Sequence, residues 1–189
     1  MFIQTESTPN PATLKFLPGQ TVLEIGTADF PSSEGAAASP LAQAIFAVDG
    51  VSAVFFGNDF VTVTKADAVD WAHIKPAILG AIMEHFQSGR PVMAGGAAQP
   101  KGGHAATAEG PDSDIIRQIK ELLDTRVRPA VAQDGGDITF HGFDRGVVYL
   151  HMQGACAGCP SSTLTLKMGI ENLLRHYIPE VLEVRPVAA

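Results

Sequence analysis

The residues of this sequence best suited to chemistry are two cysteines, Cys156 and Cys159, spaced as C-x-x-C. They are the only cysteines among 189 residues. The surrounding pattern predicts a glycine-containing turn that follows a strand and directly precedes a helix. The unpaired N–H groups at a helix N-terminus stabilise a thiolate over a thiol, so we expect an activated pair. The neighbouring residues are small, and we therefore expect both thiols to be exposed.

A C-x-x-C pair serves zinc sites, redox couples and iron–sulfur sites, and other residues must discriminate among them. Two buried small hydrophobic side chains would be the non-functional interpretation, which the strand–turn–helix placement disfavours. Haem attachment requires a histidine directly after the second cysteine, where this chain has Pro160. A zinc site within one chain needs about four ligands, and no histidine pair at ligand spacing follows the cysteines. His151, on the strand leading into the turn, is kept as a candidate ligand.

The number of cysteine ligands in one chain further restricts the kind of site that the pair can form. An iron–sulfur cluster commonly takes four thiolates, and one chain supplies two. We therefore expect two chains to meet around the cluster, or a client protein to supply the remaining ligands. A twofold axis through the cluster achieves this because each subunit then presents the same patch.

Two other functions use the same pair and stay open at this point. One is a thiol–disulfide oxidoreductase, and the other is a binding module with a structural zinc shared between chains. A thioredoxin-like site lies near a βαβ unit, whereas here a β-hairpin is expected before the motif. Iron and sulfide content separates all three functions.

The part of the chain that must position the cysteines, residues 112–189, is predicted to fold in the order αββαβ. Asp112 or Ser113 can cap its first helix, and Ser161 or Ser162 can cap the helix after the cysteines. The predicted apolar stripe of this second helix comprises Leu166, Ile170, Leu173 and Tyr177.

Between these two helices the pattern predicts a turn and a hairpin. The turn is Asp134-Gly135-Gly136-Asp137, where we favour glycines at positive φ over a cation site. The hairpin strands are Ile138–Phe143 and Val147–Gln153, and a last strand spans Val181–Val187.

Residues 1–88 are predicted to form a separate domain in the order ββαββα. Its strands include Val51–Phe56 and Phe60–Thr64, and Asp70 can cap a long helix with isoleucines at helical spacing. Residues 89–111 are rich in Gly, Ala and Pro, which predicts a flexible linker. The fold class is therefore α+β, with two small domains joined by this linker.

Several segments carry a resemblance to a known family. Val131–Asp137 (VAQDGGD), Gly154–Thr163 (GACAGCPSST) and Lys167–Glu171 (KMGIE) resemble the C-terminal domain of the NifU family. The opening FIQTE with Thr8–Pro11 (TPNP), followed by Leu14–Gly19 (LKFLPG), resembles the N-terminal domain of its Nfu-type members. The likeness covers both domains and leaves out only the linker.

The resemblance implies an iron–sulfur carrier rather than an enzyme. It implies a 4Fe–4S cluster held between the C-x-x-C motifs of two subunits, with Cys156 and Cys159 as ligands. Such a carrier receives its cluster from the assembly machinery and passes it to apo iron–sulfur proteins. Scaffold-type members carry further cysteine-bearing domains, and this chain has no other cysteine, which favours carrier over primary assembler. The Thr8–Pro11 segment contains no nucleophile–base pair and is interpreted as a structural turn.

Composition excludes several other classes. The net charge of −7 argues against a nucleic-acid partner, which would require a basic face. Two cysteines are too few for a disulfide-stapled secreted scaffold. The N-terminus predicts neither a signal peptide nor an Arg-rich transit peptide, and no apolar run approaches the about 20 residues of a membrane span. We expect a cytoplasmic protein, or one of the mitochondrial matrix if this is a mature organellar form.

Overall fold

The computed structural model describes residues 2–95, 110–157 and 160–187, with the backbone alone for residues 160–163. The chain divides into two compact units, Met1–Lys101 and Gly102–Ala189. Each unit has its own sheet, helices and apolar core. The α+β class with two small domains is thus confirmed. Most of the predicted linker, residues 96–109, lies outside the described residues.

The first unit is a five-stranded antiparallel sheet with two α-helices and one short 3-10 helix, Ser33–Ala38. Its strand order is β1-β2-β5-β4-β3. Its elements are, in chain order, β1 (Gln4–Ser7), β2 (Thr13–Leu17), β3 (Ala28–Phe30), α1 (Pro40–Phe46), β4 (Val51–Phe56), β5 (Val61–Lys65) and α2 (Trp71–Gln87). The structure adds β3 to the predicted order. With three residues, β3 is too short to show an alternating pattern, and its pairing with β4 defines it.

Local signals fix the helices of this unit. Asp70 caps α2, because its side chain accepts a hydrogen bond from the Ala72 amide at 3.1 Å, as predicted. Three isoleucines of α2, Ile74, Ile78 and Ile82, are buried against the sheet in one core cluster. The spacing of these residues places them on one helical face, which explains why periodicity found this helix.

The Thr8–Pro11 segment is a structural turn between β1 and β2. The Thr8 hydroxyl lies 2.9 Å from the Asn10 carbonyl oxygen, and Asn10 Oδ1 accepts from the Ala12 amide at 3.0 Å. The Trp71 indole donates to the Pro11 carbonyl at 3.1 Å. These bonds hold the turn in place and agree with the structural interpretation of the motif.

The second unit places a three-stranded sheet against helices. Its elements are α3 (Ser113–Leu122), α4 (Arg128–Gln133), β6 (Gly136–Asp144), β7 (Val147–Gly154), α5 (Pro160–Tyr177) and β8 (Glu183–Val187). A π-helical segment, Leu123–Val127, joins α3 to α4. β6 and β7 form the predicted antiparallel hairpin, while β8 pairs with β7 in parallel.

The core of this unit lies on one face of the sheet. Ile138 and Phe140 of β6, together with Val148 and Leu150 of β7, are buried in it. From α5 the buried members are Ile170 and Leu174, and Ile178, directly after the helix, is buried as well. The predicted stripe was therefore wrong in its last residue: Tyr177 is exposed, with the Arg126 guanidinium 5.4 Å from its ring centre. Among helices in the described ranges, none is long and apolar enough to cross a membrane.

Candidate metal centre

Cys156 lies in the turn that follows β7. Gly154, the last residue of β7, has a φ of 63°, which turns the chain out of the sheet. The Ala155 amide donates to the Gly135 carbonyl at 3.2 Å, and the Ala157 amide donates to the Gly154 carbonyl at 3.1 Å. The turn is therefore tied to the Asp134-Gly135-Gly136-Asp137 segment at the start of β6.

The Cys156 side chain is buried, with 5% of the residue exposed, and it belongs to the apolar core cluster of its unit. The expectation of an exposed thiol was wrong for this residue. Small neighbours leave room around a side chain, but they do not decide whether it points to solvent or inward. Here the backbone of the turn directs the sulfur towards the core and β6.

Burial also reverses the expected electrostatics of this thiol. Desolvation raises the pKa of Cys156 to about 12, and the carboxylates of Asp134 and Asp137 add to the rise. The prediction of a thiolate stabilised by the helix N-terminus was therefore wrong for Cys156 in this conformation. The thiol is neutral at physiological pH.

Cys159 lies outside the described residues, as does Gly158. The next residue, Pro160, begins α5, so the backbone on either side of the motif follows the strand–turn–helix order predicted from the sequence. Ser161 and Ser162, the candidate caps, have side chains outside the described set. The pairing of Cys156 with Cys159 as ligands thus stays a prediction.

Gly136 packs closely against the Cys156 side chain. A β-carbon at this position would lie 2.6 Å from Cys156 Sγ and 2.7 Å from the Gln153 carbonyl oxygen. Both distances are shorter than any stable contact. The glycine is therefore required by close approach and not by its φ, whereas Gly135 has the positive φ of 82° that the sequence predicted.

The second carboxylate of this segment is held by an arginine that sequence analysis missed. Asp137 is buried and forms a two-pronged ion pair with Arg128 of α4: Nε donates to Oδ1 and a terminal nitrogen donates to Oδ2, each at 2.9 Å. The Ile138 amide donates to Asp137 Oδ1 at 2.9 Å. These bonds raise the pKa of Arg128 above its ordinary range, because they favour the charged guanidinium.

Arg128 also reaches Asp124 at 3.0 Å, an i,i+4 contact along the helical segment. This spacing was visible in the sequence, but the pairing with Asp137 depends on how α4 packs against β6. Since Asp137 is engaged by Arg128, the segment anchors β6 to α4. This agrees with the structural interpretation of the motif over a cation site.

The histidine kept as a candidate ligand, His151, lies half-buried on β7 opposite Thr139 of β6. Burial lowers its pKa, and the neighbouring His141 lowers it further. Within residues 2–95, 110–157 and 160–187, no three His, Cys, Asp or Glu side chains gather closely enough to hold a metal ion.

The parallel pairing of β7 and β8 weakens the sequence-based argument against a thiol–disulfide oxidoreductase. Because α5 connects them, β7, α5 and β8 form a βαβ unit with the C-x-x-C motif at its strand–helix connection. The expectation that only a hairpin adjoins the motif was therefore incomplete. The βαβ topology is therefore compatible with both a cluster carrier and a thiol–disulfide oxidoreductase. The protonation state of the Cys156 thiol is the observation that distinguishes the two functions.

Comparison with known proteins identifies the family. The model described as "Scaffold protein Nfu/NifU N terminal" matches residues 3–89, and the "NifU-like domain" model matches residues 119–185. The human "NFU1 iron-sulfur cluster scaffold homolog, mitochondrial" is 50% identical over 188 residues, which cover 99% of this chain and 72% of the relative. The chain belongs to the Nfu family of NifU-like proteins. Each of the two matches of this Nfu-family chain falls within one structural unit.

A plant relative agrees with this assignment. "NifU-like protein 5, mitochondrial" of Arabidopsis thaliana is 56% identical over 183 residues, which cover 96% of this Nfu-family chain. The chain spans 66% of the length of that relative. A solution structure of a NifU-like protein from Saccharomyces cerevisiae aligns with a TM-score of 0.46 at 30% identity, over 50% of this chain and 86% of that one.

Proposed function

We propose that this Nfu-family protein is an iron–sulfur cluster carrier. It binds a 4Fe–4S cluster between the C-x-x-C motifs of two subunits and delivers it to apo-proteins. The observation that carries the proposal is the position of the only cysteine pair, directly before α5 in the NifU-like domain. Close relatives named as iron–sulfur cluster scaffolds support the choice of cargo.

The number of thiols supports a shared site. Clusters of this type commonly take four thiolates, and each chain contributes Cys156 and Cys159. A homodimer with its twofold axis through the cluster supplies the full set from two identical turns. The cluster is cargo, received from the assembly machinery and released to apo iron–sulfur clients.

The buried Cys156 thiol gives this carrier two states. When iron binds, the thiol proton leaves to solvent and the sulfur becomes a thiolate ligand, as metal binding requires. When a client thiolate replaces it on the iron, the Cys156 sulfur takes up a proton and returns to its contact with Gly136. Because burial disfavours the thiolate, the protonated thiol is the form that this pocket favours in the empty protein.

The alternative, a thiol–disulfide oxidoreductase, needs a free thiolate as nucleophile. The raised pKa of Cys156 counts against it, because a neutral buried thiol attacks disulfides slowly. Iron binding differs, since the metal itself displaces the proton. We therefore propose a carrier without catalytic residues.

We further propose that residues 1–88 and 112–189 are separable domains and that residues 89–111 link them. The last element of the first unit ends at Gln87, and the first element of the second begins at Ser113. All cluster ligands belong to the second domain. A cytoplasmic or mitochondrial-matrix location suits this function, since both compartments keep thiols reduced.

Anaerobic reconstitution with iron and sulfide tests the proposed function. Reconstituted protein should contain iron and acid-labile sulfide in equal amounts and should activate an apo 4Fe–4S enzyme added afterwards. The variant with both Cys156→Ala and Cys159→Ala is the control and should do neither. Zinc in place of iron, or reduction of insulin disulfides by the unloaded protein at the rate of a dedicated oxidoreductase, would contradict the proposal.

A further inference from the structure

The outward face of α5 carries apolar side chains that belong to neither core cluster of the described residues. Leu164 is 58% exposed and Met168 is 57% exposed, and the two are four residues apart on one helical face. Asn172, four residues after Met168, extends this exposed face by a further turn, and the exposed Gly169 borders it, three residues before Asn172. We call these four residues, Leu164, Met168, Gly169 and Asn172, the α5 face.

Gly169 lowers the stability of the helix in which it lies. A glycine inside a helix is about 1 kcal/mol less favourable than alanine. A β-carbon at Gly169 would meet no atom within 4 Å, so packing within the unit does not require a glycine here. Absence of a side chain at an exposed position is useful where another backbone approaches the helix closely.

The α5 face also carries no charge. The charged residues of the adjoining turns are neutralised by partners: Lys167 pairs with Glu183 of β8 at 3.7 Å, Glu171 accepts from the Val184 amide at 3.2 Å, and Arg175 pairs with Glu171 at 3.7 Å. In a twofold contact each residue near the axis meets its own copy, so any charge there would be repelled. A neutral face is therefore suited to self-association of a chain whose net charge is −7.

We infer that the α5 face is the surface on which a second copy of this chain packs when two copies share a cluster. The inference rests on the proposed function, which requires two subunits at the cysteine motif. The α5 face begins four residues after Pro160, the first residue of the helix, which is about one helical turn from the motif that the partner must approach. Gly169 then allows the two helices to come close, and Leu164 with Met168 supplies the apolar contact.

The test substitutes two matched glycines in the full-length protein. Gly169→Gln places a neutral side chain on the α5 face, and Gly80→Gln does the same on α2, where a β-carbon also meets no atom within 4 Å. Both changes favour the helix, so the thermal midpoint of each unloaded variant should rise or stay unchanged. For the cluster-loaded proteins, the dimer dissociation constant is measured by sedimentation velocity over a dilution series.

We expect Gly169→Gln to raise this dissociation constant about tenfold or more, whereas Gly80→Gln leaves it unchanged. A second pair uses one substitution at two exposed leucines: Leu164→Glu should weaken the loaded dimer, and Leu182→Glu, 63% exposed in the parent, should not. Loaded Gly169→Gln and Leu164→Glu proteins that dimerise like the parent would overturn the inference and leave the cluster proposal standing. A parent protein that holds a complete cluster as a monomer would overturn both.

Discussion

Gly136 and Cys156 pack so closely that a β-carbon on Gly136 would lie 2.6 Å from the cysteine sulfur. The glycine at the start of one hairpin strand thus shapes the pocket for the thiol that follows the other strand. Asp137, the next residue, is fixed by Arg128 and by the Ile138 amide, which hold this end of β6 in place. The position of the candidate ligand therefore depends on residues 18 to 28 positions earlier in the sequence.

Gly136→Ala should disturb the candidate site directly. The added methyl group must displace either Cys156 Sγ or the Gln153 carbonyl, and overpacking of this kind costs about 1–3 kcal/mol of unfolding free energy. The loss should appear as faster amide exchange in β6 and β7, together with a lower yield of reconstituted cluster. Gly142→Ala, on the same strand, is the control because its β-carbon would lie an ordinary 4.0 Å from the Tyr149 ring. Equal behaviour of the two variants would count against the close contact.

The two cysteines should differ in what they contribute to the unloaded fold. Both Cys156→Ser and Cys159→Ser are expected to abolish stable cluster binding. Cys156→Ser additionally buries a hydroxyl among apolar side chains, which costs about 1–3 kcal/mol, whereas Cys156→Ala keeps an apolar group there. Thermal unfolding of the unloaded variants measures the difference. A serine variant at either position that still reconstitutes a full, stable cluster would refute the ligand assignment.

Arg128→Ala should destabilise the second unit far more than loss of an exposed ion pair. It leaves the buried Asp137 carboxylate without its guanidinium, a change that costs about 2–4 kcal/mol after allowance for the partial exposure of Arg128. The matched control is Arg117→Ala, whose pairing with Asp114 is largely exposed and contributes less than about 0.5 kcal/mol. Hydrogen exchange rates of the β6 amides measure the destabilisation that each of the two substitutions causes. Similar exchange rates in the two variants would show that the Asp137 pair does not anchor the strand.

Asp29 on β3 should make the first unit less stable as pH rises. Burial raises its pKa from 3.8 to about 6, so the folded unit retains a proton that the unfolded chain has released. The unfolding free energy should therefore fall between about pH 4 and pH 6, by up to about 3 kcal/mol from this group. Asp29→Asn removes this loss and should stabilise the unit at pH 7 but not at pH 4.

Urea unfolding followed by fluorescence of the single tryptophan, Trp71, measures this effect because Trp71 lies in the same unit. Asp67→Asn, at an exposed position of that unit, is the control and should change stability little at either pH. If Asp29→Asn gave no gain at pH 7, the carboxyl would have to be solvated in the folded protein.

Much of this fold was readable from the sequence because its signals are local. The Asp70 cap, the isoleucine spacing of α2 and the hairpin turn between Phe143 and Val147 each depend on a few neighbouring residues. The features that the sequence did not predict depend on contacts between residues that are far apart in the sequence. The burial of Cys156 and the ion pair of Asp137 arise only when β6 packs beside β7 and against α4, and β8 shows its parallel pairing only in the assembled sheet.

The central claim, one cluster shared by two chains, is tested most directly by native mass spectrometry of anaerobically reconstituted, full-length protein. The account predicts a species with the mass of two chains and one 4Fe–4S cluster, which gives way to single chains when the iron is chelated. A single chain that carries a complete cluster with no added thiol would contradict the account.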